Sequence, residues 1–217
     1  RAGKAARIGE LIEALYPDRL DEFDEQLAHA YEQTGHFEKA IAYLVRAGDR
    51  AKRAYANEEG IAHLSKALQL LETSPPSPER DQRELDLRIA LGVLLVYVRG
   101  HASAEVGATY ARAVELCEHV GTAAQRFQVM LGLRRFYFWN GQLLKAHPLG
   151  ERFLNMARDS GDPLHIAFAY PAQGEILYWL GDFAGCRDHC MRGLEAYDPT
   201  RQSSYMALYG NDPGMGC

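Results

Sequence analysis

The chain has 217 residues, of which 47% are hydrophobic and 24% are charged. This composition is sufficient for a hydrophobic core and excludes wholesale disorder. The formal net charge is -5, and the basic residues are spread thinly along the chain. Both observations argue against a nucleic acid or an anionic membrane as the main partner, because such surfaces require clustered positive charge.

The sequence favours a location in the cytoplasm. The longest apolar run, Ile89–Val98, reaches about half of the roughly 20 residues that cross a bilayer, so it predicts a buried helix. The cysteines are too few for a disulfide framework, which indicates a reducing compartment. The chain begins without an initiator methionine and stops just after a helix-start signal, so the sequence predicts a fragment of a longer protein.

Almost every long segment carries apolar residues at positions i, i+3, i+4 and i+7, which predicts helices throughout. Thr122 and Gln125 have the spacing of a capping box, in which each side chain bonds a free backbone N–H. Ser77, Asp162 and Asp212 precede prolines and predict three further helix starts. Gly121 and Gly161 predict left-handed caps at the ends of helices. Pro148 predicts a bend or a delayed start of the helix around Leu149, and Pro171 predicts a kinked or divided helix.

An internal repeat is the strongest signal in the sequence. The strings GHFEKA (Gly35–Ala40), GQLLKA (Gly141–Ala146) and GDFAGC (Gly181–Cys186) share a glycine, a Phe or Leu anchor and a small residue. The glycine permits a sharp turn between antiparallel helices, and the small residue lets the helices approach closely. The last two strings are 40 residues apart, whereas HASAE after Gly100 is one residue out of frame.

The repeat predicts an all-α fold, a right-handed α-solenoid of four to five antiparallel helical hairpins. One domain is expected over 1–217. Within it we predict first hairpins at 1–72, a loop at 73–79, longer 40-residue repeats at 80–200, and the start of a further, truncated hairpin at 201–217.

The segment AYEQTGHFEKAIAYLVRAG (Ala30–Gly48) resembles the tetratricopeptide repeat, in which an aromatic residue precedes the turn glycine and an alanine follows it. The longer strings Ala14–Leu68, Glu84–Leu95 and Tyr209–Cys217 are similar to the helical region that follows an ATPase domain in bacterial signalling proteins. Many of those proteins carry a class III adenylate or guanylate cyclase domain, and the same arrangement resembles regulators of the LuxR and maltose-activator type. The resemblance implies nucleotide chemistry elsewhere in the parent protein.

The fragment itself carries no phosphate loop, dinucleotide fingerprint or nucleophile elbow, so we expect it to be non-catalytic and to need no cofactor. Cys186, His189 and Cys190 could share one helix face and form a weak candidate for a metal site. The alternative is that these cysteines act as small buried apolar residues, because Cys186 falls on the small position of the repeat.

A set of aromatic and charged residues at the ends of the first helices of the hairpins is the candidate partner-binding surface. Its members are Tyr97, Arg135, Phe138, Trp139, Glu175, Tyr178 and Trp179. The alternative is that these rings pack neighbouring helices as core.

The leading functional hypothesis is a scaffold that binds a protein, a peptide or another domain of its parent chain. A second hypothesis is a small-molecule sensor with a pocket lined by the aromatic residues. A third is a metal-dependent enzyme at the Cys186 cluster. Self-association through the ends of the solenoid is also expected, because cut ends expose apolar faces.

Overall fold

The computed structural model describes residues 2–209 and 211–217, with side chains described for 7–206 and 211–217. Every regular element in these ranges is a helix, which confirms the predicted all-α fold of stacked hairpins. The chain forms two compact units, Arg1–Gln125 and Arg126–Cys217. In the described ranges, no helix is both long and apolar enough to cross a membrane.

The first unit is a series of helices in which each packs on the next along the chain. A 3-10 helix, Pro17–Phe23, joins its first two α-helices. The loop predicted at 73–79 ends earlier in the structure, because the next helix begins at Pro78. The α-helices are α1 (Ala2–Leu15), α2 (Asp24–Gln33), α3 (Phe37–Arg53), α4 (Asn57–Leu71), α5 (Pro78–Arg99) and α6 (Ala104–His119).

The second unit begins within α7 (Ala123–Trp139) and contains the two long helices that follow α7 in the chain. Its core is aromatic: the rings of Phe127 and Phe153 lie 4.2 Å apart, and the fully buried Tyr205 joins the same cluster. The remaining elements are α8 (Leu143–Ser160), α9 (Pro163–Trp179), α10 (Phe183–Ala196), a 3-10 helix (Pro199–Arg201), α11 (Gln202–Tyr209) and α12 (Pro213–Gly216).

The three glycines of the repeat frame make the same turn. Gly35, Gly141 and Gly181 have φ values of 75°, 69° and 86°, in the left-handed region that favours glycine. In each turn the following residue donates its N–H to the carbonyl five residues earlier, at 2.9–3.0 Å, which closes a Schellman motif. The small residues of the frame, Ala40 and Ala146, are fully buried where the helices meet.

Gly100 makes a different turn, which explains why its repeat is out of frame. Its φ of 78° is left-handed, but its ψ of 162° extends the chain instead of reversing it directly. The next helix therefore begins at Ala104, two residues later after its glycine than in the other three turns. Ser103 then caps α6 by accepting a hydrogen bond from the N–H of Val106 at 3.2 Å.

Tyr55 occupies the left-handed position of a fourth Schellman turn, between α3 and α4. Its φ is 58°, and Ala56 donates to the carbonyl of Ala51 at 2.9 Å, as in the glycine turns. The Tyr55 side chain is 89% exposed, so little packing compensates for the backbone strain. Because glycine is absent here, the repeat frame does not mark the position of this turn in the sequence.

The predicted helix starts are confirmed. Thr122 and Gln125 exchange both bonds of the capping box, at 2.9 and 3.3 Å. The side chains of Ser77, Asp162 and Asp212 also accept backbone hydrogen bonds as caps. Gly161 is a left-handed cap, with a φ of 65°.

The prediction for Gly121 is wrong, because its φ lies outside the left-handed region. A β-carbon at this position would lie 2.7 Å from the sulfur and 2.8 Å from the α-carbon of Cys117. Glycine is therefore favoured here by lack of space and not by backbone conformation.

The two interior prolines are accommodated within continuous helices. The delay expected at Pro148 is absent, since α8 begins before it at Leu143, and α9 is not divided at Pro171. Pro171 is buried, and a β-carbon at Gly193 of α10 would lie 2.7 Å from its ring. Packing of α9 against α10 thus helps to offset the hydrogen bond that the proline removes.

We expect Tyr55→Gly to raise the free energy of unfolding by about 1 kcal/mol, because glycine removes the strain of the left-handed conformation. The matched control is Gly35→Ala, where a β-carbon meets nothing within 4 Å. That variant should lose about 1 kcal/mol for conformational reasons alone. Urea denaturation checks both, and a loss of stability in Tyr55→Gly would contradict the interpretation.

We expect Ala40→Glu to destabilise the first unit by about 3 kcal/mol or more, because it buries an unpaired carboxylate at a close helix contact. Ala42 lies on the exposed side of the same helix, so Ala42→Glu is the control and should have little effect. Thermal denaturation followed by circular dichroism measures both variants. Equal melting temperatures would show that the repeat frame is misplaced.

Candidate functional site

Three large aromatic side chains are exposed where α7 and α9 end. Trp139, Tyr178 and Trp179 are 60%, 52% and 63% exposed, and we call them the aromatic edge. They directly precede the glycine turns at 141 and 181. The 40-residue repeat therefore places them at the ends of the first helices of two equivalent hairpins. Exposed aromatic groups of this size are typical anchors for a partner.

Phe138 does not belong to the exposed surface, although the sequence analysis included it. Its ring is 9% exposed and packs in a cluster with Ala146 and Ile176. The ring of Trp139 stands edge-on to it at 5.5 Å. Phe138 thus supports Trp139 from the core side and is not available to a partner.

The aromatic edge continues onto α10 through a residue that the sequence analysis did not select. The ring of Phe183 lies 5.5 Å from that of Tyr178 in an edge-on arrangement and is 64% exposed. Its equivalent one repeat earlier, Leu143, packs against the Phe138 cluster. The repeat frame identified Phe183 as an anchor, but it gave no signal that this anchor remains uncovered.

Charged residues on α7 and α9 lie one turn before the aromatic edge. Glu175 is exposed, and Arg135 lies over the ring of Phe168 at 5.6 Å and donates a hydrogen bond to the side chain of Asn211 at 3.2 Å. These residues belong to the predicted set, and the structure gives them the same helical faces as Trp139 and Trp179, one turn away.

Arg134 is the main polar residue that the sequence analysis missed. Its side chain is 3% exposed, donates to the carbonyl of Ala172 at 3.0 Å, and lies 4.0 Å from the carboxylate of Glu175. Its Nε has no hydrogen-bond partner. The available signal was the adjacent pair Arg134 and Arg135 in the otherwise apolar second half of α7. Neighbouring residues on a helix point about 100° apart, so one of the two was directed towards the core, where a charge requires a partner.

Burial has the largest effect on the pKa values of Arg134 and Glu175. It lowers the pKa of Arg134 to about 10, although Glu175 opposes the shift. Burial also raises the pKa of Glu175, and the nearby arginines only partly offset the effect. The Glu175 carboxylate is thus incompletely compensated and remains 46% exposed, which leaves it able to accept hydrogen bonds from a partner.

The candidate metal ligands do not converge. The Nδ1 atom of His189 lies 2.9 Å from the carbonyl of Gly185, and its ring faces Tyr170 at 5.8 Å. Cys186 and Cys190 are free thiols on the same helix. Among the side chains that the structure describes, no group of three or more His, Cys, Asp or Glu residues is placed to hold a metal ion.

Two further features belong to the first unit. Tyr97, the remaining member of the predicted partner-binding set, is 74% exposed near the end of α5. A recess of about 580 Å³ is lined by Asp49, Lys52, Arg53 and Tyr55. Its lining includes none of the aromatic residues that the small-molecule hypothesis requires.

The fold is shared with solved structures, among them the following two. The crystal structure of BtubC (BKLC) from P. vanneervenii matches with a TM-score of 0.58 and 19% sequence identity, over 92% of each chain. The apo form of RapI matches with a TM-score of 0.63 and 15% identity, over 86% of this chain and 53% of RapI. At these identities the likeness shows the fold alone, a helical-repeat fold. No protein-family model and no curated protein matches the chain.

We expect the wild type to gain stability relative to the Glu175→Gln variant as pH falls. The folded-state pKa of Glu175 is raised above its ordinary value of 4.5, so the folded chain binds this proton more tightly than the unfolded chain does. The resulting stabilisation is present below the unfolded pKa and is lost as pH rises through the folded pKa.

Glu84→Gln is the control with the opposite sign. Burial disfavours the Glu84 carboxylate, but hydrogen bonds from Arg112 and Arg88 outweigh burial and lower its pKa. Its stabilisation is therefore present above the unfolded pKa and is lost as pH falls through the folded pKa. Paired urea denaturation curves at acid and neutral pH test both variants. The same sign for both would contradict the proposed balance at Glu175.

Proposed function

We propose that this chain is a non-catalytic protein-interaction scaffold that recognises a protein or peptide segment through the aromatic edge. The observation that carries the proposal is the exposure of Trp139, Tyr178 and Trp179 on a helical-repeat fold. More than half of each of these side chains remains in water in the folded chain, so a partner that covers them removes a large further apolar area from water.

The neighbouring charges fit recognition of a peptide with both apolar and polar groups. Glu175 offers a half-exposed carboxylate one turn before Trp179, and Arg135 lies one turn before Trp139. A partner would bury aromatic or aliphatic anchors at the edge and pair its own charges with these two side chains. The core position of Phe138 provides a rigid support, so little conformational entropy is lost on binding.

In the larger setting, we propose that the chain is a cytoplasmic regulatory segment of a bacterial signalling protein, with nucleotide cyclase or ATPase chemistry in other parts. The basis is the sequence resemblance of Ala14–Leu68 and Glu84–Leu95 to such regions. The mechanism would be geometric, because a partner held by stacked hairpins changes how neighbouring domains are positioned.

The experiment is a pull-down from lysate of the source organism with the wild type and with the double variant Trp139→Ala/Trp179→Ala. We expect a specific partner to bind the wild type and to be lost from the variant by a factor of about 10 or more, as for hot-spot tryptophans. Binding of the purified partner is then measured by isothermal titration calorimetry. Circular dichroism first establishes that the variant keeps its helicity.

The matched control is Met191→Ala, which removes a 54% exposed apolar side chain of α10 outside the aromatic edge. It should bind like the wild type. Equal binding by the tryptophan variant would contradict the proposed surface. If neither protein captures a partner, the small-molecule hypothesis gains support, and the search moves to metabolites retained by the purified chain.

A further inference from the structure

Three cysteine thiols of the second unit form a row. Cys186 and Cys190 lie one turn apart on α10, and Cys217 follows α12 much later in the chain. The side chains of Cys186 and Cys217 both lie close enough to that of Cys190 to affect its thiol electrostatically. All three thiols are free, so the contact between Cys190 and Cys217 joins two elements that no covalent bond connects.

Glycine gaps in the packing hold two of these sulfur atoms. A β-carbon at Gly174 of α9 would lie 3.3 Å from the Cys190 sulfur. A β-carbon at Gly193 of α10 would lie 3.5 Å from the Cys217 sulfur. Cys217 therefore sits against the same face of α10 that carries Cys190.

Asp212 fixes the start of the element that carries Cys217. Its carboxylate accepts hydrogen bonds from the hydroxyl of Tyr197 and the side-chain amide of Gln202, both at 3.0 Å. The other carboxylate oxygen accepts the N–H of Gly214 at 2.8 Å and caps α12. These bonds restrict the motion of α12, so the approach of Cys217 to Cys190 is built into the packing of this unit.

The arrangement of the three thiols favours a disulfide between two of the cysteines over a metal site. The structure as described brings no three His, Cys, Asp or Glu groups into an arrangement that holds a metal. Cys186 and Cys190 are both constrained by one helix, so a bond between them would distort its backbone. Cys190 and Cys217 lie on different elements, so a bond between them would not bridge two positions of one helix.

We propose that Cys190 and Cys217 form a reversible disulfide. This bond would tether the segment from the second 3-10 helix (Pro199–Arg201) through α12 to α10. This modification site is independent of the proposed partner-binding function. The bond would close a loop over residues 190–217, which restricts the unfolded chain and stabilises the end of the unit.

The reaction needs a two-electron oxidant, for which oxidised glutathione serves. The exposed Cys217 loses its proton and attacks one glutathione sulfur, which forms a mixed disulfide and releases one glutathione thiolate. Cys190 then loses its proton and attacks the Cys217 sulfur, which forms the protein disulfide and releases the second thiolate. Two protein thiols are oxidised, and one glutathione disulfide is reduced to two thiols.

The test is oxidation of the purified full chain by oxidised glutathione at about pH 8.5, where thiolates are more abundant. Burial raises the pKa of all three thiols, so the reaction at neutral pH should be slow. Mass spectrometry of a non-reduced digest identifies the cross-link. We expect Cys190 bonded to Cys217, with Cys117 reduced because it is buried.

The variants separate this pair from the other thiols. Cys217→Ser should lose the cross-link, whereas Cys186→Ser, the matched control, should retain it. The oxidised wild type should melt roughly 5–10 °C higher than the reduced form, and dithiothreitol should reverse the shift.

Three results would overturn the proposal. One is a predominant Cys186–Cys190 bond. Another is an equal yield of the Cys190–Cys217 bond in urea, which would show that folding does not direct the pairing. The third is protection of all three thiols from alkylation by one equivalent of zinc, which would identify a metal site instead.

Discussion

The left-handed turn between paired helices is the constraint on which the rest of the structure depends. Gly35, Gly141 and Gly181 reverse the chain within three residues, and the Schellman hydrogen bonds fix the direction of the next helix. This tight reversal brings Ala40 and Ala146 against the preceding helices, where only a small side chain fits. Hairpins built this way cannot bury their apolar faces alone, so they stack, and the stack leaves helix ends exposed.

The exposed helix ends are where the candidate function resides. Neighbouring residues at the end of α7 have opposite fates, because side chains one position apart point in directions about 100° apart on a helix. Phe138 therefore enters the core while Trp139 faces water. The same geometry places a buried Arg134 beside a half-buried Arg135, and the charges of both arginines act on Glu175. The same helix end thus supplies both core residues and surface residues of this site.

Much of the fold could be predicted from local chemistry. The capping box at Thr122 and Gln125 depends on residues close in sequence, so the pattern alone identified it. The hairpin at Tyr55 was harder to place, because a strained tyrosine carries the turn that glycine makes elsewhere. Gly121 was misjudged for the opposite reason: its lack of a side chain serves the close approach of Cys117, and a single sequence does not distinguish these two roles of glycine.

By itself the sequence determined the helical class, the hairpin repeat near residue 140 and 180, and the residue types available at the candidate surface. These depend on periodicity and on turn conformation, which act over a few residues. Only the tertiary structure decided which rings are exposed, that Arg134 pairs with Glu175, and that Cys217 meets Cys190. Such contacts join residues distant in the chain, and they depend on how whole helices pack, which no local pattern specifies.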